Sequence, residues 1–131
     1  MSETTHHPLV RLESLALIAI GGFAGSNLRY LADTILPGLY GTLAVNVLGS
    51  FALGFVLYEA LYAGVLAPET RAVVSTGFIS SFTTYSTFAL QSAQSAPPWL
   101  VLNVLANYAL GFSGVLLGRW LARSTDRRWS A

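Results

Sequence analysis

The feature that most constrains this chain is a run of four apolar stretches with hardly a charge inside them. A helix needs roughly 20 mostly apolar residues to cross a bilayer. Four stretches meet that length, at about 14–32, 41–63, 70–91 and 98–122, with short connectors between them. Pro37 and Gly38 break the first connector, "DTILPGLYG". Charged residues make up 10% of the chain, against about a quarter in a soluble domain. The expectation is an all-α integral membrane protein: one domain over residues 1–131, with four transmembrane helices. The first residues lack the basic region and cleavage site of a signal peptide, so the first apolar stretch is expected to be retained. The absence of cysteine excludes disulfides, thiolate metal sites and cysteine catalysis, and a net charge of +1 gives nucleic acid no purchase.

The basic residues are all arginine, seven in number. Four spans put the N-terminus, the second connector and the C-terminus on one side. Arg11, Arg71, Arg119, Arg123, Arg127 and Arg128 fall there, and only Arg29 falls opposite. Cytoplasmic flanks carry the positive excess. Both termini are therefore expected in the cytoplasm, with the chain inserting mainly one way. Small residues repeat on the spans. Gly21 and Gly25 share one face of the first, and Gly111, Gly114 and Gly118 lie on the fourth. Such faces let helix backbones approach closely in lipid.

Polar residues at membrane depth are expensive and point to function. Arg29, near the end of its span, can reach the interface as an anchor. Asn46 forms a helical stripe with Thr42, Gly49 and Ser50, and Asn103, Asn107, Gly111, Gly114 and Gly118 share an arc of the fourth helix. One such Asn is ordinarily helix glue. Three, beside the segment "GFISSFTTYSTF" (77–88), favour a lined polar path. That segment packs six serine and threonine hydroxyls into eight residues. Gly77 and the hydroxyl side chains weaken a straight helix. Either the helix breaks, freeing carbonyls that suit a hard cation and N–H groups that suit an anion, or it continues with its hydroxyls bonded back to its own carbonyls. Tyr85 and Phe88, three residues apart, share a face. Core packing is the usual use of such a pair; ring edges turned toward an anion are the other.

Three segments, "GGFAGSNLRY", "GTLAVNVLGSFALG" and "GFISSFTTYSTF", resemble the signature segments of the Fluc/CrcB fluoride channels, usually GGxxGAxxRY, GTLxVNxxGSFxxG and GFxGGxTTFSTF. Order and spacing agree from about Leu15 to Gly118. The resemblance implies a passive fluoride exporter of the cell membrane that protects against fluoride toxicity. It implies two antiparallel subunits in lipid, two fluoride pathways, and a central structural sodium ion at a break in the third helix. The main-chain carbonyls of Ser80 and Thr83 would hold the sodium, with Gly77 near the break. Thr42, Asn46, Tyr85, Phe88, Asn103 and Asn107 would line the fluoride pathway, and Arg29 its vestibule. Gly21, Gly25, Gly49, Gly111 and Gly118 would pack the helices.

Several positions depart from the family pattern. Ser80 and Ser81 replace Gly-Gly, Tyr85 replaces a phenylalanine, Asn103 and Asn107 replace Tyr and Ser, and Gln91 stands where many relatives carry Glu. A dual-topology homodimer needs a near-neutral charge bias, and six arginines against one is far from neutral. The expectation is a fixed-topology chain paired with an oppositely oriented homologue, in preference to a homodimer. Two other classes compete. A proton-coupled multidrug exporter needs a central carboxylate, but Glu13, Asp33 and Glu59 all lie near span ends. A non-conducting assembly subunit would not need the polar track. No nucleophile–base pair or cofactor loop suggests an enzyme, and His6 and His7 read as solvated tail residues.

Overall fold

The computed structural model describes residues 7–129, with side chains through Asp126; His6 and the side chains of Arg127 and Arg128 lie outside the described residues. The described chain is all helical, without strands. Helix α1 spans Pro8–Ile35 and α2 spans Leu39–Tyr62. Next come α3 (Pro68–Arg71), a π-helical segment (Ala72–Ile79), α4 (Ser80–Phe82) and α5 (Tyr85–Gln94). Helix α6 covers Pro97–Trp129. Three helices are long and apolar enough to cross a membrane: α1, α2 and α6 as far as Asp126.

The helix ends follow from local chemistry. Pro8, Pro68 and Pro97 open α1, α3 and α6, where the missing N–H costs no helical bond. His7 does more than hang in a tail, since its Nδ1 accepts the Leu9 N–H at 3.3 Å and caps α1. Gly38 (φ 80°) turns the chain into α2. Gly64 (φ 63°) turns it out again, with its N–H donating to the Glu59 carbonyl at 2.8 Å.

Two parallel helix pairs make the body. In one, α2 and α6 run side by side at a constant offset of 61 residues, seen at Asn46 with Asn107, Tyr58 with Arg119 and Tyr62 with Arg123. Glycines let the backbones meet. A Cβ on Gly54 would lie 2.6 Å from the Val115 carbonyl oxygen, and one on Gly118 would run into Phe51 O. In the other pair, α1 lies along the π-helical segment. A Cβ on Gly21 would stand 2.6 Å from Val73 O, one on Gly77 2.6 Å from Ile18 O, and one on Gly25 would collide with Phe78 O. The short connector between α1 and α2 makes them antiparallel neighbours. The start of α1 and the ends of α2 and α6 therefore share one end of the molecule.

Between the pairs lies a small core that includes Val45, Val56, Ile79, Phe82 and Phe88. Outward faces are strongly apolar, with Phe23, Leu61 and Trp120 largely exposed. Such extensive apolar exposure suits lipid or a partner subunit.

Candidate functional site

Between α4 and α5 the helical backbone stops for two residues. Thr83 (ψ 160°) and Thr84 (φ −147°, ψ 119°) are extended. Asn46, reaching across from α2, pairs with the backbone of Thr84 exposed by this interruption. Its Nδ2 donates to the Thr84 carbonyl at 3.0 Å, and its Oδ1 accepts the Thr84 N–H at 2.8 Å. One carboxamide thus satisfies both backbone groups of one residue, as a neighbouring strand would. Gly49, one turn along α2, leaves room for the Thr83 methyl, which a Cβ there would meet head-on.

Because the Thr84 N–H goes to Asn46, it does not serve the Ser80 carbonyl four residues back. Among the described residues nothing donates to the carbonyl oxygens of Ser80 or Thr83. The hydroxyls nevertheless bond backward where helix remains: Ser75 to Arg71 O (2.6 Å), Ser80 to Thr76 O, and Thr83 to Ile79 O (3.0 Å). Thr84 starts the next helix, its Oγ1 accepting the Thr87 N–H at 3.2 Å. The N–H groups of Tyr85 and Ser86 have no acceptor among the described residues.

From Asn46 a thread of hydrogen bonds runs into α6 and back to α5. Asn46 Nδ2 donates to Asn107 Oδ1 (3.4 Å), and Asn107 Nδ2 donates to Asn103 Oδ1 (3.0 Å). Asn103 Nδ2 then donates to Ser92 Oγ (2.8 Å), and the Ser92 hydroxyl to the Phe88 carbonyl (2.7 Å). Every donor in the thread points the same way. Alongside it the rings form a line. Tyr85 and Phe88 lie 5.8 Å apart at 51°, Phe88 meets Tyr108 edge-on at 6.2 Å and 79°, and Tyr108 meets Phe112 at 6.3 Å. Phe88 is buried while Tyr85 is 73% exposed.

A cavity of about 540 Å³ joins these features. Asn46, Gly49, Ser80, Thr83, Tyr85, Phe88, Asn107 and Gly111 line it. Asn103 lines a second cavity, of about 620 Å³, near Tyr40 and Trp99, so the thread links the two. Thr42 lines neither; it sits one turn from Asn46, fully buried, with its hydroxyl unpartnered. The buried Gln91 Oε1 is likewise unpartnered. Arg29, part-exposed on α1, lines neither cavity, nor do Gly21, Gly25 and Gly118, which sit at helix contacts. Gly111 is less constrained, since a Cβ there would be 3.6 Å from Ser50 Oγ.

The sequence alone did not single out Ser92, Tyr108 or Phe112. Ser92 follows Phe88 by one helical turn, and Tyr108 and Phe112 are spaced by one turn beside Asn107, a signal that was present but is common in apolar helices. Among the described residues no group of three His, Cys, Asp or Glu could hold a metal, so the oxygen ligands on offer are backbone carbonyls and hydroxyls.

A family model described as CrcB-like protein, Camphor Resistance (CrcB), matches residues 16–119. A Haloarcula marismortui protein named Fluoride-specific ion channel FluC 1 is 60% identical over 117 residues, which cover 89% of this chain and 91% of its own length. A Halobacterium salinarum protein named Fluoride-specific ion channel FluC 2 is 49% identical over 118 residues, covering 88% and 92%. One from Methanosarcina mazei, also named Fluoride-specific ion channel FluC 2, is 40% identical over 121 residues, covering 92% and 96%.

Proposed function

Since the chain belongs to the CrcB-like family, a family of ion channels and not of enzymes, we propose that it conducts fluoride passively across the cell membrane. The observation that carries this is the thread of amide and hydroxyl groups running past the buried Phe88 ring. Fluoride leaves water only where fixed donors replace its hydration shell. The N–H groups of Tyr85 and Ser86, which have no acceptor among the described residues, and the ring edges beside them are such donors, and none carries a full positive charge that would trap the ion. A proton-coupled exporter finds no support. The one buried carboxylate among the described residues, Glu59, accepts the Val65 and Leu66 N–H groups (2.6 and 3.0 Å) and faces Arg71 at 3.7 Å.

In this reading residues 68–94 form a fourth, interrupted span, with the break near mid-membrane. The orphaned carbonyls of Ser80 and Thr83 fit a hard cation, and we assign them to a structural sodium ion. Bound there, sodium would supply positive field beside the fluoride path. Asn46 keeps the interruption open by holding Thr84, which leaves those carbonyls without a donor among the described residues.

The functional unit is an antiparallel dimer. The arginine imbalance favours a fixed-topology chain, both termini cytoplasmic, paired with a reverse-oriented homologue. Relatives numbered FluC 1 and FluC 2 fit a two-chain arrangement. Fluoride efflux from liposomes, with chloride as control ion, tests both levels. The expected result is little efflux from this chain alone and fluoride-selective efflux with a reverse-biased homologue. Rapid efflux from the chain alone would keep the channel and remove the heterodimer. No efflux in either case would move the chain to a non-conducting assembly role.

A further inference from the structure

The end of the molecule that carries the finish of α2 and of α6 holds a second polar construction, about three turns from the asparagine thread. Tyr58 and Tyr62, one turn apart on α2, stack at 5.9 Å and 13°. Arg119 and Arg123, one turn apart on α6, lie over them, with guanidinium carbons 5.1 and 5.5 Å from the ring centres. Glu59 pairs with Arg71, and the contacts that hold Arg119 and Arg123 on α2 are the two rings. Asp126, one turn beyond Arg123, has an interaction of its own. The Arg119 Nε is buried and has no acceptor among the described residues. A guanidinium stacked on a ring keeps its N–H groups free at its edge, in a fork that matches the oxygens of a phosphate.

Depth decides which phosphate. With α2 centred in the bilayer, Tyr58 lies about 12 Å and Tyr62 about 18 Å from the midplane at the helical rise. The hydrocarbon boundary lies at about 15 Å. The two positions therefore straddle the boundary between hydrocarbon and lipid headgroups, with Arg123 on the headgroup side and Arg119 one turn within. Trp120, between them in sequence and 66% exposed, is an interface-seeking side chain at the same level.

We propose that Arg119 and Arg123, shelved on Tyr58 and Tyr62, form a binding site for the phosphate of an anionic phospholipid headgroup. The site secures this end of the α2–α6 pair to one leaflet and adds a lipid-chemical component to its fixed orientation. It rests on the membrane placement of α2 and α6 and not on fluoride conduction.

The test is native mass spectrometry of the purified chain with phosphatidylglycerol or phosphatidylcholine, repeated with Arg119→Gln/Arg123→Gln. Each arginine at a membrane surface is worth about a fivefold gain in affinity for anionic lipid, so the double variant should lose roughly 25-fold in phosphatidylglycerol binding. Phosphatidylcholine binding should stay constant. If the double variant does not fold, the single variant Arg123→Gln, at the more exposed position, should lose about fivefold. A wild-type chain without preference for phosphatidylglycerol overturns the proposal, whatever the variants do. So does a preference that survives both substitutions. Displacement of the lipid by millimolar inorganic phosphate would reassign the site to a free anion and overturn the lipid assignment. Fluoride efflux that persists without any lipid preference would leave the channel standing and remove this site alone.

Discussion

At the scale of single residues, Asn46 does two tasks with one carboxamide. It pairs both backbone groups of Thr84 and begins the thread toward Asn107. Asn46→Ala should abolish fluoride efflux. It should also cost about 2 kcal/mol or more, because removing one partner leaves part-buried backbone groups unpaired. Efflux assays and thermal unfolding in detergent check the two parts separately. The aromatic line makes a sharper contrast. Phe88 is the buried ring that meets both Tyr85 and Tyr108, whereas the Tyr85 hydroxyl has no partner among the described residues. Tyr85→Phe should keep efflux within about threefold, and Phe88→Ala should reduce it by tenfold or more, the size of about 1.4 kcal/mol of barrier. The same liposome assay, with the reverse-biased homologue present, reads both. The importance of Asn46 was visible in the sequence as an amide at membrane depth. Its partner was not, because a bond spanning 38 residues depends on how α2 and α5 meet.

At the scale of elements, glycines that looked alike in sequence separate in space. Gly25 and Gly118 lie where a Cβ would enter a neighbouring carbonyl, while Gly111 has ordinary contact distance. Gly25→Ala and Gly118→Ala should each destabilise by about 2 kcal/mol through forced separation of the helices. Gly111→Ala should be neutral or slightly stabilising, since alanine favours a helix by about 1 kcal/mol over glycine. Midpoints of thermal unfolding for the three variants decide this. The small-residue spacing announced close helix contact but not which residue bears it. The interrupted segment shows a similar limit. Its hydroxyls allowed either a break or an unbroken helix with back-bonded side chains, and the fold contains both. Back-bonding runs through Thr83, and the interruption begins at Thr83 itself. What tips the balance is Asn46, whose Oδ1 accepts the Thr84 N–H in place of the Ser80 carbonyl.

At the scale of the whole molecule, two parallel helix pairs are held together by the segment that is least regular. If the orphaned carbonyls of Ser80 and Thr83 hold sodium, unfolding should depend on it by mass action. A sodium concentration a hundredfold above the dissociation constant adds about 2.7 kcal/mol. Replacing sodium with N-methylglucamine at constant ionic strength should lower the unfolding midpoint, and an unchanged midpoint would remove the cation from these carbonyls. The sequence by itself determined the class of protein, because apolar length and charge depletion act residue by residue and need no knowledge of neighbours. It also determined which side chains are costly at membrane depth and therefore candidates for function. Only the tertiary structure decided that Asn46, Asn107, Asn103 and Ser92 make one directed thread, and that Thr42 stands apart with a free hydroxyl. The physical reason is that a hydrogen bond or a ring contact depends on the offset between helices. Here that offset is 61 residues between α2 and α6, and it is set by where their glycines allow the backbones to touch.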